Sequence, residues 1–177
     1  SGLRLYAVLF LVGLAGSLGW IQMPPGLALL STPMVLGATG LMFGVEFFAD
    51  KVPGLDSVWD TLHTVIRIPA GAALAASVLG GDDATWTLIA ALMGGTLAAT
   101  AHVAKATTRA AVNASPEPFS NLGLSLLGDA AVPGMLWLAW EQPLWFFAAL
   151  GVAVVGALVA TVVLFRFLRG LVRRVFA

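Results

Sequence analysis

The sequence predicts an all-α fold, a polytopic transmembrane helix bundle of about six spans forming a single domain over residues 1–177. Three observations predict it. First, 59% of the chain is hydrophobic, the mean hydropathy is +0.95 and only 10% of residues are charged, against about 25% in soluble domains. Second, apolar stretches of the roughly 20 residues needed to cross a bilayer as a helix recur along the chain. Third, turn signals such as MetProProGly (23–26) and GlyGlyAspAsp (80–83) punctuate those stretches. The formal net charge is zero, so nothing points to nucleic acid. The absence of cysteine excludes disulfides, thiolate metal sites and a cysteine nucleophile.

The expected spans are 3–21, 33–49, 57–80, 84–107, 119–140 and 143–168. The first carries one Arg4, a weak positive n-region, and Gly13, Gly16 and Gly19 on a packing face. It reads as a retained membrane helix, not a signal peptide. The second has Gly37, Gly40 and Gly44, the last two forming a small-xxx-small pair. Gly94, Gly95, Ala98 and Ala101 play that part in the fourth span, Gly156 and Ala160 in the sixth. Small residues let helix backbones approach in lipid, where the hydrophobic effect does not drive association. A compact monomer is the simple reading and a homo-oligomer interface the alternative. The third and fifth spans differ from the others, each carrying charges and a proline.

All nine basic residues sort to one side of a six-span layout. Arg4, Lys51, Arg67, Lys105, Arg109, Arg166, Arg169, Arg173 and Arg174 fall on or near it, whereas the opposite loops hold only Asp82, Asp83 and Glu141. The positive-inside rule then places both termini in the cytoplasm. Trp20, Trp86, Trp137, Trp140 and Trp145 fall near the outer boundary, as an aromatic belt does, and Trp59 falls on the inner side. In the C-terminal RFLRGLVRRVFA, Arg166, Arg169, Arg173 and Arg174 read as an anchor to anionic lipid of the inner leaflet.

Charge is concentrated where helices should be. Glu46 to Arg67 holds six of the chain's 18 charged residues. Asp56, Asp60, His63 and Arg67 are spaced by four, three and four, on one helix face. His102, Lys105, Arg109 and Asn113 are spaced by three, four and four. Two polar stripes thus climb inward from the cytoplasmic boundary. Arg67 and Asp129 are deepest, each just before a helix break, at Pro69 with Gly71 and at Pro133 with Gly134. An unpaired ion at such depth costs about 2.5–3.5 kcal/mol. Arg67 and Asp129 are therefore expected to pair, and Glu46 to face Lys105 or Arg109. The hairpins 34–80 and 96–140 resemble each other, with prolines 69 and 133 offset by 64 residues, which suggests a parallel internal repeat.

The stretches VEFFADKVPGLDSVWDTLHTVIRIPAGA (45–72) and KATTRAAVNASPEPFSN (105–121), with SGLRLY at the start, carry a family resemblance. The chain resembles a bacterial membrane-protein family catalogued as domain-of-unknown-function family 4126. The resemblance covers nearly the whole chain. It implies a small polytopic inner-membrane protein and implies no activity, cofactor or catalytic residue.

The residues point first to a small transporter or channel-like protein of a bacterial inner membrane, carrying a small polar solute or ion. Its expected cavity is lined by the third and fifth helices. The binding candidates are Glu46, Asp50, Lys51, Asp56, Asp60, His63, Arg67, His102, Lys105, Arg109, Asn113, Asn121 and Asp129. One alternative is an accessory or assembly subunit of a larger membrane complex. Another is a lipid-phosphate binder or enzyme using Lys51, Arg67, Lys105 and Arg109. Asp50, Asp56 and Asp60 do not follow the carboxylate spacing of a phosphate-handling metal site, and His63 and His102 lack a third ligand, so no metal and no cofactor are expected. No nucleophile elbow, Walker loop or zinc-protease motif is present. Ser115 to Asn121 reads as a turn with a helix cap, or as a loop closing over the stripe to hold an anion beside Lys105 and Arg109.

Overall fold

The computed structural model describes residues 4–52, 55–113 and 118–175. It describes their side chains except at 57, 110–113, 118–121, 168 and 171–175. Ser115 and the side chains of Asn113, Ser120 and Asn121 lie outside the described residues. Every regular element among the described residues is helical: α1 (Leu5–Ser17), a 3-10 helix (Pro25–Ser31), α2 (Pro33–Ala49), α3 (Leu55–Leu79), α4 (Ala84–Asn113), α5 (Pro118–Glu141) and α6 (Pro143–Val175). Four of these are long and apolar enough to cross a membrane, within α3, α4, α5 and α6, and a bent pair raises the number to five.

The first segment is shorter than its apolar run suggested. α1 has 13 residues, about 20 Å at 1.5 Å per residue, against a hydrocarbon core of about 30 Å. Its end is set by Gly19, whose φ of 70° lies in the left-handed region that glycine favours. Gly19 N–H bonds the Gly16 carbonyl at 3.1 Å and Trp20 N–H the Ala15 carbonyl at 3.0 Å, the paired bonds of a Schellman cap. Gly19 is thus a helix terminator. Gly13 and Gly16 keep the packing role, since an added Cβ would meet the Leu30 carbonyl at one and Met23 and Ser31 at the other.

The sharp break in the chain comes before α2. The 3-10 helix and α2 meet at 72°. Thr32 between them is extended, with φ −75° and ψ 144°, because the residue before a proline is pushed out of the helical region. Pro69 and Pro133 behave differently from the expectation of broken helices. Both lie inside continuous helices, α3 and α5. A proline removes one backbone donor and crowds one carbonyl, and a long apolar helix carries on through that local loss. Gly71 and Gly134 likewise sit within helix.

α3 and α4 form the tightest pair. They run antiparallel, since Gly80 meets Thr87, Ala75 meets Gly94 and Ala72 meets Gly95. Gly94 has no room for a side chain against the Gly71 carbonyl and Ala75, which is close packing of the kind small residues permit. The turn between them ends on Asp83, whose Oδ1 accepts from Thr85 N–H at 2.7 Å and Trp86 N–H at 3.1 Å and so caps α4. α6 lies along α4 and α5, and α1 lies against α2 and the 3-10 helix. Gly40 packs on Phe10, but an added Cβ at Gly37, Gly44 or Gly156 would meet nothing.

The bundle is apolar outside and polar within. Exposed positions include Leu41, Phe48, Leu62, Val65, Leu92, Val152 and Phe165, while Arg4, Glu46, Asp50, Asp56, Asp60, Arg67 and Arg109 are buried. A soluble protein distributes these types the other way round. This is a membrane-type protein whose lipid-compatible surface surrounds a charged centre.

Candidate functional site

The centre is built where the start of α1, the end of α2, the first half of α3, the second half of α4 and the middle of α5 converge. Five carboxylates and five cations meet there: Glu46, Asp50, Asp56, Asp60 and Asp129 with Arg4, Lys51, Arg67, Lys105 and Arg109. Helical spacing brings the α3 and α4 members onto facing stripes, and the antiparallel pairing of the two helices sets Asp60 opposite Arg109.

Asp60 is one hub. Its Oδ1 lies 2.7 Å from Arg67 Nη1 and 3.1 Å from Lys105 Nζ, and its Oδ2 lies 2.9 Å from Arg109 Nη1. Asp50 is the other, with Arg4 Nη1 at 2.6 Å, Lys105 Nζ at 3.1 Å and Arg109 Nη2 at 3.1 Å. Arg109 therefore bridges both hubs and also lies 3.7 Å from Asp56 Oδ2. At the deep end Arg67 Nη2 meets Glu46 Oε1 at 2.8 Å, both fully buried. The other Glu46 oxygen, Oε2, accepts from Tyr6 N–H at 3.2 Å. Here each ion is stabilised by opposite charge and directed hydrogen bonds, the condition for tolerating charge in a low dielectric.

At the rim, Arg4 Nη2 lies 2.8 Å from Asp129 Oδ1 and donates to Ser125 Oγ at 3.0 Å and the Ser125 carbonyl at 3.1 Å. Lys51 Nζ reaches Asp129 Oδ2 at 2.7 Å and sits 3.1 Å from the centre of the Phe47 ring. Lys51 and Asp129 are the most accessible members, 18% and 17% exposed.

Two expected pairings are not the observed ones. Arg67 meets Glu46 and Asp60, and Asp129 meets Arg4 and Lys51. Matching depth was not sufficient, because α3 and α5 scarcely touch and α1 supplies the cation that reaches α5. Glu46 likewise faces Arg67, not Lys105 or Arg109, since those two are engaged with Asp50 and Asp60. The expected lining by the third and fifth helices gives way to a centre shared by five helices, with α3 facing α4.

The histidines complete the centre. His63 Nδ1 lies 2.8 Å from the Trp59 carbonyl and Nε2 lies 3.3 Å from the Tyr6 hydroxyl, with the ring stacked on Trp59. A carbonyl only accepts, so Nδ1 carries the hydrogen and neutral His63 accepts from Tyr6 at Nε2. His102 Nε2 lies 2.8 Å from Thr64 Oγ1. Among the described residues no three histidines or carboxylates converge as a metal-binding group.

Arg4, Tyr6, Thr64 and Ser125 were not among the residues expected at the site. Arg4 had a signal, being the one charge before Glu46, where a lone ion next to an apolar helix requires a partner. Ser125 sits four residues before Asp129 and shares its helix face.

The chain belongs to the family described as Domain of unknown function (DUF4126), whose model matches residues 1–164. That match includes both stretches that carried the resemblance. No curated protein and no solved structure matches the chain.

Proposed function

We propose that the protein is a small transport protein of a bacterial inner membrane, moving a small polar solute or ion, with both termini in the cytoplasm. The observation that carries this reading is the buried, charge-balanced network of five carboxylates and five cations. Ionisable side chains inside membrane bundles are costly and commonly mark solute, ion or proton pathways. In this reading α1 makes a short first crossing, the bent pair before Ala49 the second, and α3 to α6 the remaining four. The similar hairpins 34–80 and 96–140 are a parallel repeat.

The network acts as an inner gate. Every cation in it faces a carboxylate, so a solute enters by taking the place of one partner. Lys51 and Asp129 are the accessible edge where such an exchange begins. The exchange then passes through Arg4 to the Asp50 hub and on to Asp60. The test is flux in proteoliposomes across a panel of ions and small polar solutes. Flux that Asp129→Asn diminishes supports the reading, and a tight membrane toward the whole panel overturns it.

A second reading, an accessory subunit of a larger membrane complex, is favoured by one surface. A groove of about 540 Å³ between α2 and α3 is lined by Leu41, Gly44, Val45, Phe48 and Trp59, and Gly37 and Gly44 have nothing against them. A partner that co-purifies in fixed ratio supports this second reading. The lipid-phosphate reading has less behind it, because Lys51, Arg67, Lys105 and Arg109 each already face a carboxylate.

A further inference from the structure

We propose that His102 is a proton-binding site of the network, with Nδ1 as the accepting atom. The hydrogens available to Thr64 and His102 fix the tautomer of the ring. Thr64 has one hydroxyl hydrogen, and it is donated to the Asp60 carbonyl four residues back at 2.9 Å. The 2.8 Å contact between Thr64 Oγ1 and His102 Nε2 must then be a bond donated by the ring. Nε2 carries the hydrogen, and Nδ1 of the neutral ring is left with a bare lone pair. That atom is buried and has no hydrogen-bond partner, and His102 is only 6% exposed. Among the described residues the other buried side-chain nitrogens left without partners, one each on Trp59, Arg67 and Arg109, are N–H donors. Nδ1 is the one nitrogen among them whose lone pair can accept a proton. His63 differs, with both ring nitrogens engaged.

The step is simple in atoms. A hydronium ion gives its proton to Nδ1, an N–H bond forms as an O–H bond breaks, and water is left beside an imidazolium. The surrounding charges decide how readily it forms. α3 presents Asp60 and Arg67 to this ring, and α4 presents Lys105. α2 adds Glu46 behind Arg67 and Asp50 behind Lys105. α5 adds only Asp129, which is held by Arg4 and Lys51. α6, packed along α4, has no ionisable side chain before the exposed Arg166. The α2, α3 and α4 part therefore holds Glu46, Asp50, Asp56 and Asp60 against Arg67, Lys105 and Arg109, plus an Arg4 that divides itself between Asp50 and Asp129. A positive ring at His102 is attracted by Asp60 and repelled by Arg67 and Lys105. It also competes with Lys105 for Asp60 and so loosens a link between α3 and α4. Protonation thereby becomes the event that opens the inner gate, with the proton as coupling ion. That last step rests on the transport reading, whereas the binding of the proton does not.

The experiment uses the full chain in lipid, with ¹⁵N-labelled histidine read by NMR as pH is lowered, together with acid-pulse proton uptake by proteoliposomes. The neutral spectrum should contain one Nδ1–H ring, His63, and one Nε2–H ring, His102. On acidification the His102 signal should move to the imidazolium pattern. His102→Gln keeps a donor for Thr64 but cannot take a proton, and it should cut uptake by about tenfold or more. Should that variant fold poorly, Thr64→Val serves in its place, since losing the acceptor should turn the single His102 tautomer into a mixture. An Nδ1–H tautomer at His102, a ring that stays neutral until the protein unfolds, or measurable uptake that is equal in wild type and His102→Gln overturns the proposal, the last leaving transport itself standing. A ring that titrates in liposomes that pass neither protons nor solutes upholds the site and overturns the transport reading.

Discussion

Asp60 Oδ2 lies 2.9 Å from Arg109 Nη1, across the α3–α4 hairpin and 49 residues away in the chain. The same carboxylate holds Lys105 at 3.1 Å and Arg67 at 2.7 Å. Replacing it by the neutral amide in Asp60→Asn leaves three buried cations around one site. Removing one partner from a buried ion cluster typically costs about 3–5 kcal/mol. Asp60→Asn should therefore lower the thermal midpoint in detergent more than any other single carboxamide change in the network. A midpoint within a degree or so of wild type would mean that Asp60 does not clamp the hairpin.

The pairing of Arg67 is open to a double-mutant cycle. Arg67→Ala strands Glu46, since both side chains are fully buried 2.8 Å apart. Adding Glu46→Gln removes the stranded charge, so the double variant should recover part of the loss, with a coupling of about 0.5–3 kcal/mol. The companion cycle of Arg67→Ala with Asp129→Asn should give a much smaller coupling, because the two share no direct contact. Equal coupling in the two cycles would contradict the observed partners.

The rim behaves differently from the interior. Lys51→Met should be mild, because Lys51 is 18% exposed and Asp129 keeps Arg4 at 2.8 Å. Arg4→Met should be severe, since it strips Asp129 and Asp50 of one cation each and frees the Ser125 carbonyl. Chemical denaturation of the two variants side by side measures the contrast, and similar losses would remove Arg4 from its place between α1, α2 and α5.

Apolar length made the long helices legible, whereas glycine spacing found the close contacts at Gly13, Gly16, Gly40 and Gly94 but not the open positions at Gly37, Gly44 and Gly156. Residues 33–49 were bounded correctly by hydropathy and a leading proline, and α2 covers the same residues. The face of the charged stripes was legible too, because helical periodicity fixes which residues share a face. Partners were not, because pairing depends on which helices touch. Arg67 and Asp129 have matching depth on helices that barely meet, while Arg4 reaches both Asp50 and Asp129 from a neighbouring helix. Gly19 misled for a related reason. Spacing placed it with Gly13 and Gly16, but its positive φ, invisible in a spacing pattern, makes it the end of α1. The prolines misled through rule strength, since one lost hydrogen bond kinks a long helix more readily than it ends one.

Two glycine substitutions separate packing from helix continuity. Gly94→Val places a side chain against the Gly71 carbonyl and Ala75, so it should separate α3 from α4 and cost about 1–3 kcal/mol or more. Gly134 was expected at a helix break, yet it sits inside α5 and an added Cβ would meet nothing. Gly134→Ala should then be neutral or stabilising, by up to about 1 kcal/mol of helix propensity. A strongly destabilising Gly134→Ala would indicate that α5 needs glycine there for a non-helical backbone.

The cap of α4 gives a pH dependence of known sign. Backbone N–H groups of Trp86 and Thr85 hold the Asp83 carboxyl below the usual carboxylate range. The charged form is the one these donors stabilise. A depressed folded-state value means that the cap contributes fully above the unfolded value of about 3.9. The contribution then fades as pH falls through the lower folded value. Hydrogen exchange of the first turn of α4 should accordingly be slow at neutral pH and should quicken, relative to the intrinsic rate, only in strong acid. Asp83→Asn keeps an accepting oxygen and should remove the acid dependence while retaining much of the protection. Asp83→Ala should lose protection at every pH. An acid response that persists in Asp83→Asn would assign it to another carboxylate, such as Asp82, and not to the cap.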